Sequence, residues 1–251
     1  MATIFKTALV TGGSNGIGKA VVNMLLSNNV KVCFSYFSDD KAADEIIHKA
    51  NKDGIERAFS VKADIGSEDG IEHTFQSAID RLGKIDILVN NAGVFIDHSF
   101  LENDTKSFDR TIDVILKGTF FLTQKVAQQM IDNKIHGRII NISSLVTLRP
   151  IDSPVDYIVA KSGINGFTKA VAADLGRYGI TRNAVLPGAI PTKINKWQFD
   201  NPIYKEKFKN GSVLHELGDP NYIAGAVEYL ISKEAKWTTG ILVSVDGGYS
   251  I

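Results

Sequence analysis

Strand-like and helix-like segments alternate along all 251 residues of the chain, and this alternation constrains the fold more than any other feature. Short, apolar, β-branched runs predict strands, and longer stretches with apolar residues three and four positions apart predict helices. The predicted strands are Thr3–Val10, Val30–Tyr36, Ala58–Lys62, Ile85–Val89, Arg138–Ile142, Asn183–Leu186 and Ile241–Val245. The predicted helices are Ile17–Asn28, Asp40–Lys52, Glu68–Leu82, Thr105–Asp132, Val155–Tyr178 and Asn221–Ser232. This order predicts an α/β fold with a doubly wound, seven-stranded parallel sheet and helices on both faces.

The chain carries no sign of a second domain. No repeat, low-complexity tract or linker rich in Pro, Gly or Ser interrupts the alternation, so we expect one domain over residues 1–251. The stretch from 190 to 218 is longer than an ordinary connection. We interpret it as a substrate loop or lid within that domain.

Composition excludes several classes of function. Lys plus Arg and Asp plus Glu both number 28, and the zero net charge argues against a nucleic-acid or anionic-membrane partner. The single Cys33 excludes a disulfide framework, and the five scattered histidines show no metal-ligand spacing, so no metal site is expected. No signal-peptide pattern and no 18-residue apolar run is present, which predicts a cytoplasmic protein.

The strongest local signal is the glycine-rich stretch Thr11–Gly18, between the first predicted strand and helix. Gly12, Gly16 and Gly18 have the spacing G-x3-G-x-G. Glycine allows a tight turn and a close approach of phosphate to backbone amides, and the following helix N-terminus attracts the negative charge. The same letters also match the hydrolase pattern G-x-S-x-G, but only one strand precedes Ser14, which argues against that interpretation. The stretch therefore predicts a dinucleotide site.

Polar residues follow two further strands at the edge where open α/β sheets bind ligands. Asp64 ends the third strand and could reach an adenine ring, and Asn90–Gly93 ends the fourth. Asparagine side chains at that place can tie two strand ends together and line the path of a ribose. A loop-capping Asp and a plain turn are the alternatives.

Tyr157 and Lys161 lie four residues apart on a predicted helix and therefore share one face. An ammonium beside a phenol lowers the pKa of the phenol, which would let Tyr157 exchange a proton near neutral pH. Ser144 ends the fifth strand and could hold a substrate oxygen beside Tyr157. A Tyr-x3-Lys pair alone is usually a solvated helix face, but the serine and the glycine-rich stretch favour a catalytic interpretation.

With these motifs the chain resembles the short-chain dehydrogenases/reductases over essentially its whole length. The resemblance is carried by Thr11–Gly18, Asp64, Asn90–Gly93, Ser144, Tyr157 with Lys161, Pro187-Gly188 with Thr192, and Asp246-Gly247-Gly248. It implies a single Rossmann domain and a hydride exchanged with a nicotinamide. It also implies Tyr157 as general acid/base, Ser144 as the group that positions the carbonyl or hydroxyl, and Lys161 as a ribose ligand that lowers the pKa of Tyr157.

The resemblance further implies a set of cofactor-binding residues and an assembly. The implied residues are Gly12, Ser14, Asn15, Gly16, Ile17, Gly18, Tyr36, Asp64, Ile65, Asn90, Ala92, Gly93, Tyr157, Lys161, Pro187, Gly188, Ile190 and Thr192. Of these, Ile190 and Thr192 would contact the carboxamide. Because long helices such as Thr105–Asp132 pair across a two-fold axis in the family, a homotetramer is implied.

The sequence leaves both NAD and NADP open as the cofactor. An acidic residue at the end of the second strand would bind a ribose 2′-hydroxyl and select NAD, but Tyr36 and Phe37 stand there. Asp39 and Asp40, just beyond, could still reach round. The glycine-rich stretch offers no basic residue for a 2′-phosphate, although hydroxyl groups that could bind one are those of Ser14, Ser35 and Ser38. We therefore favour NADP slightly.

Three residues depart from the pattern of the family. Ile115 stands where the family usually has an asparagine that holds a water for proton relay, and isoleucine cannot hold that water. Either the relay is rerouted, or the enzyme is slow, or cofactor binding remains without catalysis. Phe95 and Val146 replace polar residues near the substrate, which counts against a free sugar.

The sequence therefore predicts a short-chain oxidoreductase that transfers a hydride between NAD(P) and a small alcohol or carbonyl compound. The second half of the chain looks most like bacterial glucose 1-dehydrogenases, which suggests an aldose such as glucose. The alternatives are a 3-oxoacyl-carrier-protein reductase and a catalytically impaired nucleotide-binding protein of the same fold.

Overall fold

The computed structural model describes residues 5–151 and 153–251 and contains the predicted seven-stranded parallel sheet. The strands are β1 (Thr7–Val10), β2 (Lys31–Tyr36), β3 (Ala58–Lys62), β4 (Ile87–Asn90), β5 (Arg138–Ile142), β6 (Thr181–Pro187) and β7 (Leu242–Val245). They lie in the order β3-β2-β1-β4-β5-β6-β7, and every neighbouring pair is parallel. The prediction of a doubly wound Rossmann-type α/β fold is confirmed.

The helices connect consecutive strands and cover both faces of the sheet. They are α1 (Gly16–Ser27), α2 (Asp40–Ala50), α3 (Glu68–Leu82), α4 (Thr105–Ile112), α5 (Gly118–Asp132), α6 (Val155–Leu175), α7 (Lys196–Asp200), α8 (Pro202–Gly211) and α9 (Pro220–Ile231). A π-helical segment, Asp113–Lys117, joins α4 to α5.

Alternate residues of the central strands pack into two separate hydrophobic cores, one on each face of the sheet. In β1, Ala8 and Val10 pack with α1 and α9 on one face, and Leu9 packs with α3 and α5 on the other. Strand side chains alternate between faces, so a strand buried on both sides must be apolar throughout. Cys33 is fully buried on the second face. Burial raises the pKa of its thiol to about 12, although the charge of Arg81 works against this rise, and Cys33 is therefore an inert core residue.

The strand order reverses beside β1, and this places the candidate site. β1 pairs with β2 on one side and with β4 on the other, so the next crossovers leave in opposite directions. A crevice opens between such strands at their carboxyl ends. Thr11–Gly18 leaves β1 at this edge.

Three segments differ from the sequence-based expectation. Strand β1 begins at Thr7, and the first two residues of the predicted strand, 3 and 4, lie outside the described residues. The predicted helix Thr105–Asp132 is interrupted by the π-helical segment, beside which Gly118 lies so close to the β3–α3 turn that a Cβ on it would come 2.3 Å from the carbonyl oxygen of Ile65. The stretch 190–218 contains two helices, α7 and α8, which are not among the predicted helices.

Residues 5–151 and 153–251 contain neither a membrane-spanning helix nor a metal-binding cluster. No helix in this part of the chain has both the length and the apolar character needed to cross a membrane. No three His, Cys, Asp or Glu side chains within it lie close enough together to hold a metal ion.

Candidate active site

A cleft of about 460 Å³ lies at the carboxyl edge of the sheet. One end is lined by the glycine-rich stretch and the end of β2, and the other by the residues after β5 and the start of the 190–218 segment. A cleft of this volume at the point of strand reversal is typical of a ligand site in an open α/β sheet.

The glycine-rich stretch has the backbone that a phosphate cradle requires. Gly12 and Gly16 have positive φ values of 66° and 51°, and a Cβ on Gly16 would lie 2.9 Å from Cγ2 of Thr192. The amide groups at the start of α1 receive no side-chain cap from Asn15, and the first turn contains no acidic residue. Because this helix end is positive and its amides are free of side-chain acceptors, these residues fit the pyrophosphate of a dinucleotide.

Asn91 locks this cradle to the end of β4. Its Nδ2 donates hydrogen bonds to the carbonyl oxygens of Thr11 (2.9 Å) and Gly12 (3.0 Å). The hydroxyl of Thr11 in turn accepts from the backbone amides of Asn91 and Ala92, both at 3.0 Å. The expectation that an asparagine ties two strand ends together is thus met by Asn91, which also lines the cleft.

Asn90 lies on the opposite side of β4 and does not line the cleft. Its side chain is buried and hydrogen-bonds the hydroxyl of Thr123 and the side-chain amide of Asn141, each at 2.9 Å. Asn90 therefore supports the strand ends from the interior of the protein.

At the end of β2, as at the end of β4, the residue that lines the cleft is the neighbour of the residue that the resemblance implies. The hydroxyl of Tyr36 donates to Asp40 at 2.9 Å, and Phe37 lines the cleft in place of Tyr36. Ser35 is a buried residue of β2, whereas Ser14 and Ser38 line the cleft. Two of the three hydroxyl groups considered for a 2′-phosphate are therefore available there.

Asp39 forms a charged cluster at the mouth of the cleft. Its Oδ2 accepts from Nζ of Lys193 at 2.7 Å and from Nδ2 of Asn15 at 3.0 Å. The hydrogen bonds from Lys193, Asn15 and the Ala42 amide, in that order, lower the pKa of Asp39 to about 2. The cluster joins the 190–218 segment to the glycine-rich stretch across the entrance.

Asp64 and Ile65 do not line this cleft. Arg110 donates from Nη1 to both oxygens of Asp64, at 2.9 and 2.7 Å. Burial opposes ionisation of Asp64, but the hydrogen bonds from Arg110 and the Gly66 amide prevail and lower its pKa. Ile65 is buried, with its carbonyl oxygen against Gly118. The structure thus places these two residues beside the cleft rather than in its wall.

The remaining residues implied by the resemblance fall into two groups. Gly18 lies behind the cradle, against the carbonyl oxygen of Gly12. The residues that line the cleft are Gly12, Ser14, Asn15, Gly16, Ile17, Ala92, Gly93, Ser144, Tyr157, Lys161, Pro187, Gly188, Ile190 and Thr192. The cleft is also lined by Phe37, Asn91 and Lys193, which the resemblance does not imply as cofactor-binding residues. Of these three, Asn91 belongs to a motif that stands out in the sequence, the dipeptide Asn90-Asn91.

The structure brings Ser144, Tyr157 and Lys161 together at one end of the cleft. Ser144 follows β5, and its hydroxyl hydrogen-bonds the phenol of Tyr157. Lys161 is buried, and its Nζ donates to the carbonyl oxygen of Ile142 at 2.7 Å and lies 5.7 Å from the centre of the Tyr157 ring. An acid, its orienting hydroxyl and a cation thus converge on one point.

Lys161 is expected to lower the pKa of Tyr157, but in the protein chain alone the pKa of Tyr157 is raised. Burial raises the pKa of Tyr157 to about 12, and the hydrogen bond from Ser144 only partly opposes this. Burial also lowers the pKa of Lys161 to about 8. Low dielectric surroundings penalise both charges, and this effect exceeds their mutual attraction. At neutral pH Tyr157 therefore keeps its proton, which is the form needed to donate to a carbonyl oxygen.

Ile115 packs in a dry cluster behind Tyr157. Its side chain is 1% exposed and contacts Ala160 and Ile164, with the Tyr157 ring against the same cluster. We expect Ile115→Asn to destabilise the protein by about 2–4 kcal/mol, because apolar contacts are lost and an amide is buried without a partner. We also expect no gain in kcat. Thermal unfolding and steady-state kinetics measure the two effects.

Ile115→Val is the matched control, since it keeps the site apolar and should cost only about 1 kcal/mol. A higher kcat for Ile115→Asn would contradict the prediction and would show that a missing water relay limits turnover.

Comparison with known proteins gives the same picture over nearly the whole chain. A family model described as enoyl-(acyl carrier protein) reductase matches residues 12–250. An L-rhamnose 1-dehydrogenase (NADP(+)) of Thermoplasma acidophilum is 35% identical over 246 residues, which cover 98% of this chain and 96% of that protein. Glucose 1-dehydrogenase 2 of Bacillus subtilis is 34% identical over 247 residues, which cover 98% of this chain and 95% of that protein.

A similar solved structure is a blue fluorescent protein from a metagenomic library, in complex with NADPH. It is 33% identical, the match covers 98% of each chain, and the TM-score is 0.91. The fold of this chain agrees with these similarities.

Proposed function

Because the chain belongs to the short-chain dehydrogenase/reductase family of NAD(P)-dependent oxidoreductases, we propose that it transfers a hydride between a nicotinamide dinucleotide and a small alcohol or carbonyl compound. The convergence of Ser144, Tyr157 and Lys161 in the cleft that also contains the glycine cradle carries this proposal. A proton donor and a dinucleotide cradle in one cleft are the two parts that carbonyl reduction needs.

Each side chain has a role that its surroundings support. Tyr157 donates a proton to the substrate oxygen during reduction and accepts it during oxidation. Ser144 holds that oxygen beside the phenol, and the Lys161 ammonium is positioned to bind the cofactor ribose. The bound nicotinamide supplies or accepts the hydride, which the protein itself cannot do.

NADP is the cofactor that we favour within the proposal. The relative from Thermoplasma acidophilum is named for NADP(+), and the similar solved structure contains NADPH. In this chain, Lys193 brings a cation to the mouth of the cleft, and the hydroxyl groups of Ser14 and Ser38 line it. Asp39 opposes a phosphate there, but it is already compensated by Lys193 and Asn15.

The proposal includes one catalytic domain, a lid and an assembly. The 190–218 segment would act as the lid, because its first half lines the substrate end of the cleft. Large apolar side chains are exposed along α4, α5 and α6, and they suit helix pairing between subunits in a homotetramer. These side chains are Phe108, Phe120, Phe121, Val155 and Val159.

Calorimetric titration with NADPH and NADH, followed by assays on a panel of carbonyls, alcohols and sugars, tests the proposal. We expect binding of NADPH at least as tight as that of NADH, with turnover on at least one panel member. Binding without turnover would favour the catalytically impaired nucleotide-binding protein. Failure to bind either nucleotide would contradict the assignment of the glycine cradle.

A further inference from the structure

The substrate end of the cleft is walled by apolar side chains. Beyond Ser144 and Tyr157 the lining consists mainly of Phe95, Leu145, Val146, Ile151, Ala189 and Phe199. These residues come from the loop after β4, the loop after β5 and the part of the chain from residue 189 to α7. Three separate parts of the chain thus present hydrocarbon to the same space.

Aromatic contacts hold two opposite walls in place. The Phe95 ring meets the Tyr157 ring edge to face, with centres 5.2 Å apart and planes at 64°. Phe199 packs on Phe208 at 5.4 Å, and Phe208 lies 6.4 Å from the buried Tyr249. Each of these walls is therefore supported by a second aromatic ring.

Most polar groups in this space are already engaged, although the side chains of Ser153 and Gln198 also line the cleft. The Ser144 hydroxyl is engaged with Tyr157, and Lys161 donates to Ile142. Asn195 is occupied as well, since its side chain accepts from Thr192 and donates to the carbonyl oxygen of Ile190. Among the described lining residues, the charged side chains besides Lys161 are Asp39 and Lys193, which pair with each other at the mouth of the cleft.

The apolar lining favours apolar substrates over substrates that carry several hydroxyl groups. The oxygen that reacts is served by Ser144 and Tyr157, but further hydroxyl groups would lie against Phe95, Val146 and Phe199. A hydroxyl buried without a partner is unfavourable, and an apolar pocket discriminates against one by roughly 10–100-fold. An aldose carries several such groups, whereas an aromatic or alicyclic ring gains from burial against these walls.

We infer that the substrate is an apolar ketone or secondary alcohol with an aromatic or alicyclic ring beside the reacting carbon. Phe95, Val146 and Phe199 set this preference. The inference rests on the proposed oxidoreductase function and narrows it to one substrate class. In the oxidation direction the carbinol C–H bond breaks and its electron pair leaves as hydride to NADP⁺. The hydroxyl proton passes to the phenolate form of Tyr157, which then returns the proton to solvent, and the C=O bond forms.

The test compares kcat/KM for oxidation of 1-phenylethanol and cyclohexanol with that of D-glucose and L-rhamnose, using NADP⁺ and NAD⁺. We expect at least a 100-fold preference for the apolar alcohols. A preference for the aldoses would overturn this inference and leave the proposed function intact. Absence of turnover on both classes would contradict the proposed function as well, and NADPH titration would then show whether binding survives.

Two substitutions test the named walls. Val146→Thr keeps the shape but adds a hydroxyl, and it should lower kcat/KM for 1-phenylethanol about 10-fold. Ile55→Thr is the control, because it introduces a threonine at an exposed position between α2 and β3, and it should leave kcat/KM unchanged. Phe95→Leu should raise KM for 1-phenylethanol about 10-fold and affect kcat less. Unchanged kinetics in both wall variants, with unchanged thermal unfolding, would overturn the assignment.

Discussion

Tyr157→Phe is expected to lower kcat by about 10²–10⁴-fold, the range that a positioned general acid/base contributes. The substitution removes only the hydroxyl that hydrogen-bonds Ser144, and the ring can keep its contact with Phe95. The glycine cradle lies at the other end of the cleft, so the affinity for NADPH should change less than about threefold. Steady-state kinetics and calorimetric titration measure these two effects separately.

The pH dependence of the unaltered enzyme provides a second readout. Alcohol oxidation needs the phenolate of Tyr157, whose pKa burial raises to about 12 in the protein chain alone. Its kcat/KM should therefore rise with pH from 7 to about 8, whereas carbonyl reduction uses the phenol and should not rise. Burial lowers the pKa of Lys161 to about 8, so kcat/KM in both directions should weaken above that pH, because the ammonium that is positioned to bind the cofactor ribose loses its proton. Substantial activity of Tyr157→Phe with the same pH profile would remove Tyr157 from the mechanism.

Gly18→Ala is expected to weaken NADPH binding by at least 100-fold and to destabilise the protein by about 1–3 kcal/mol. A Cβ at this position would lie 2.1 Å from the carbonyl oxygen of Gly12 and 2.5 Å from Nδ2 of Asn91. The first atom belongs to the backbone of the cradle, and the second ties the cradle to β4, so neither can yield without displacing the phosphate site. Calorimetric titration and thermal unfolding measure the losses.

Gly166→Ala is the matched control, because Gly166 lies within α6 and a Cβ there would meet nothing within 4 Å. Alanine is the better helix former, so this variant should be as stable as the original protein or up to about 1 kcal/mol more stable. If Gly18→Ala bound NADPH as tightly as Gly166→Ala, the close packing behind the cradle would be irrelevant to the cofactor.

Most of the fold was predictable because its elements follow from local patterns. The first three residues of β4, Ile87–Val89, form a continuous apolar run, and such runs occur in parallel strands that are covered on both faces. Ser67 directly precedes the predicted helix Glu68–Leu82 and is a typical N-cap residue, and its side chain accepts from the Gly70 amide. The helix α8 had an overlooked signal, since Asn201 caps it and Pro202 occupies its first turn.

The π-helical segment could not be predicted in the same way. Its residues continue the helical pattern of α4, and the interruption lies where Gly118 packs against the carbonyl oxygen of Ile65. That contact joins parts of the chain more than 50 residues apart, so no local pattern records it.

Two differences between the residues implied by the resemblance and the residues that line the cleft have one physical origin. Neighbouring strand residues point to opposite faces, so an uncertainty of one position exchanges the interior for the cleft. Asn90 and Asn91 at the end of β4, and Tyr36 and Phe37 at the end of β2, are both such pairs. In each pair, the residue implied by the resemblance lies outside the cleft wall and its neighbour lines the cleft. Ser144, Tyr157 and Lys161 escaped this ambiguity and line the cleft as expected.

The path of the 190–218 segment bears on how this enzyme can diversify. Gly218 donates its amide hydrogen to the carbonyl oxygen of Ala189 at 3.0 Å, so the chain departs and returns at adjoining backbone positions. An excursion closed at its base can be shortened, extended or swapped with little effect on the sheet, since closure entropy depends only weakly on length. Meanwhile Tyr157 and Lys161 stay fixed on α6. The proposed lid can therefore be exchanged during evolution without displacing these two residues.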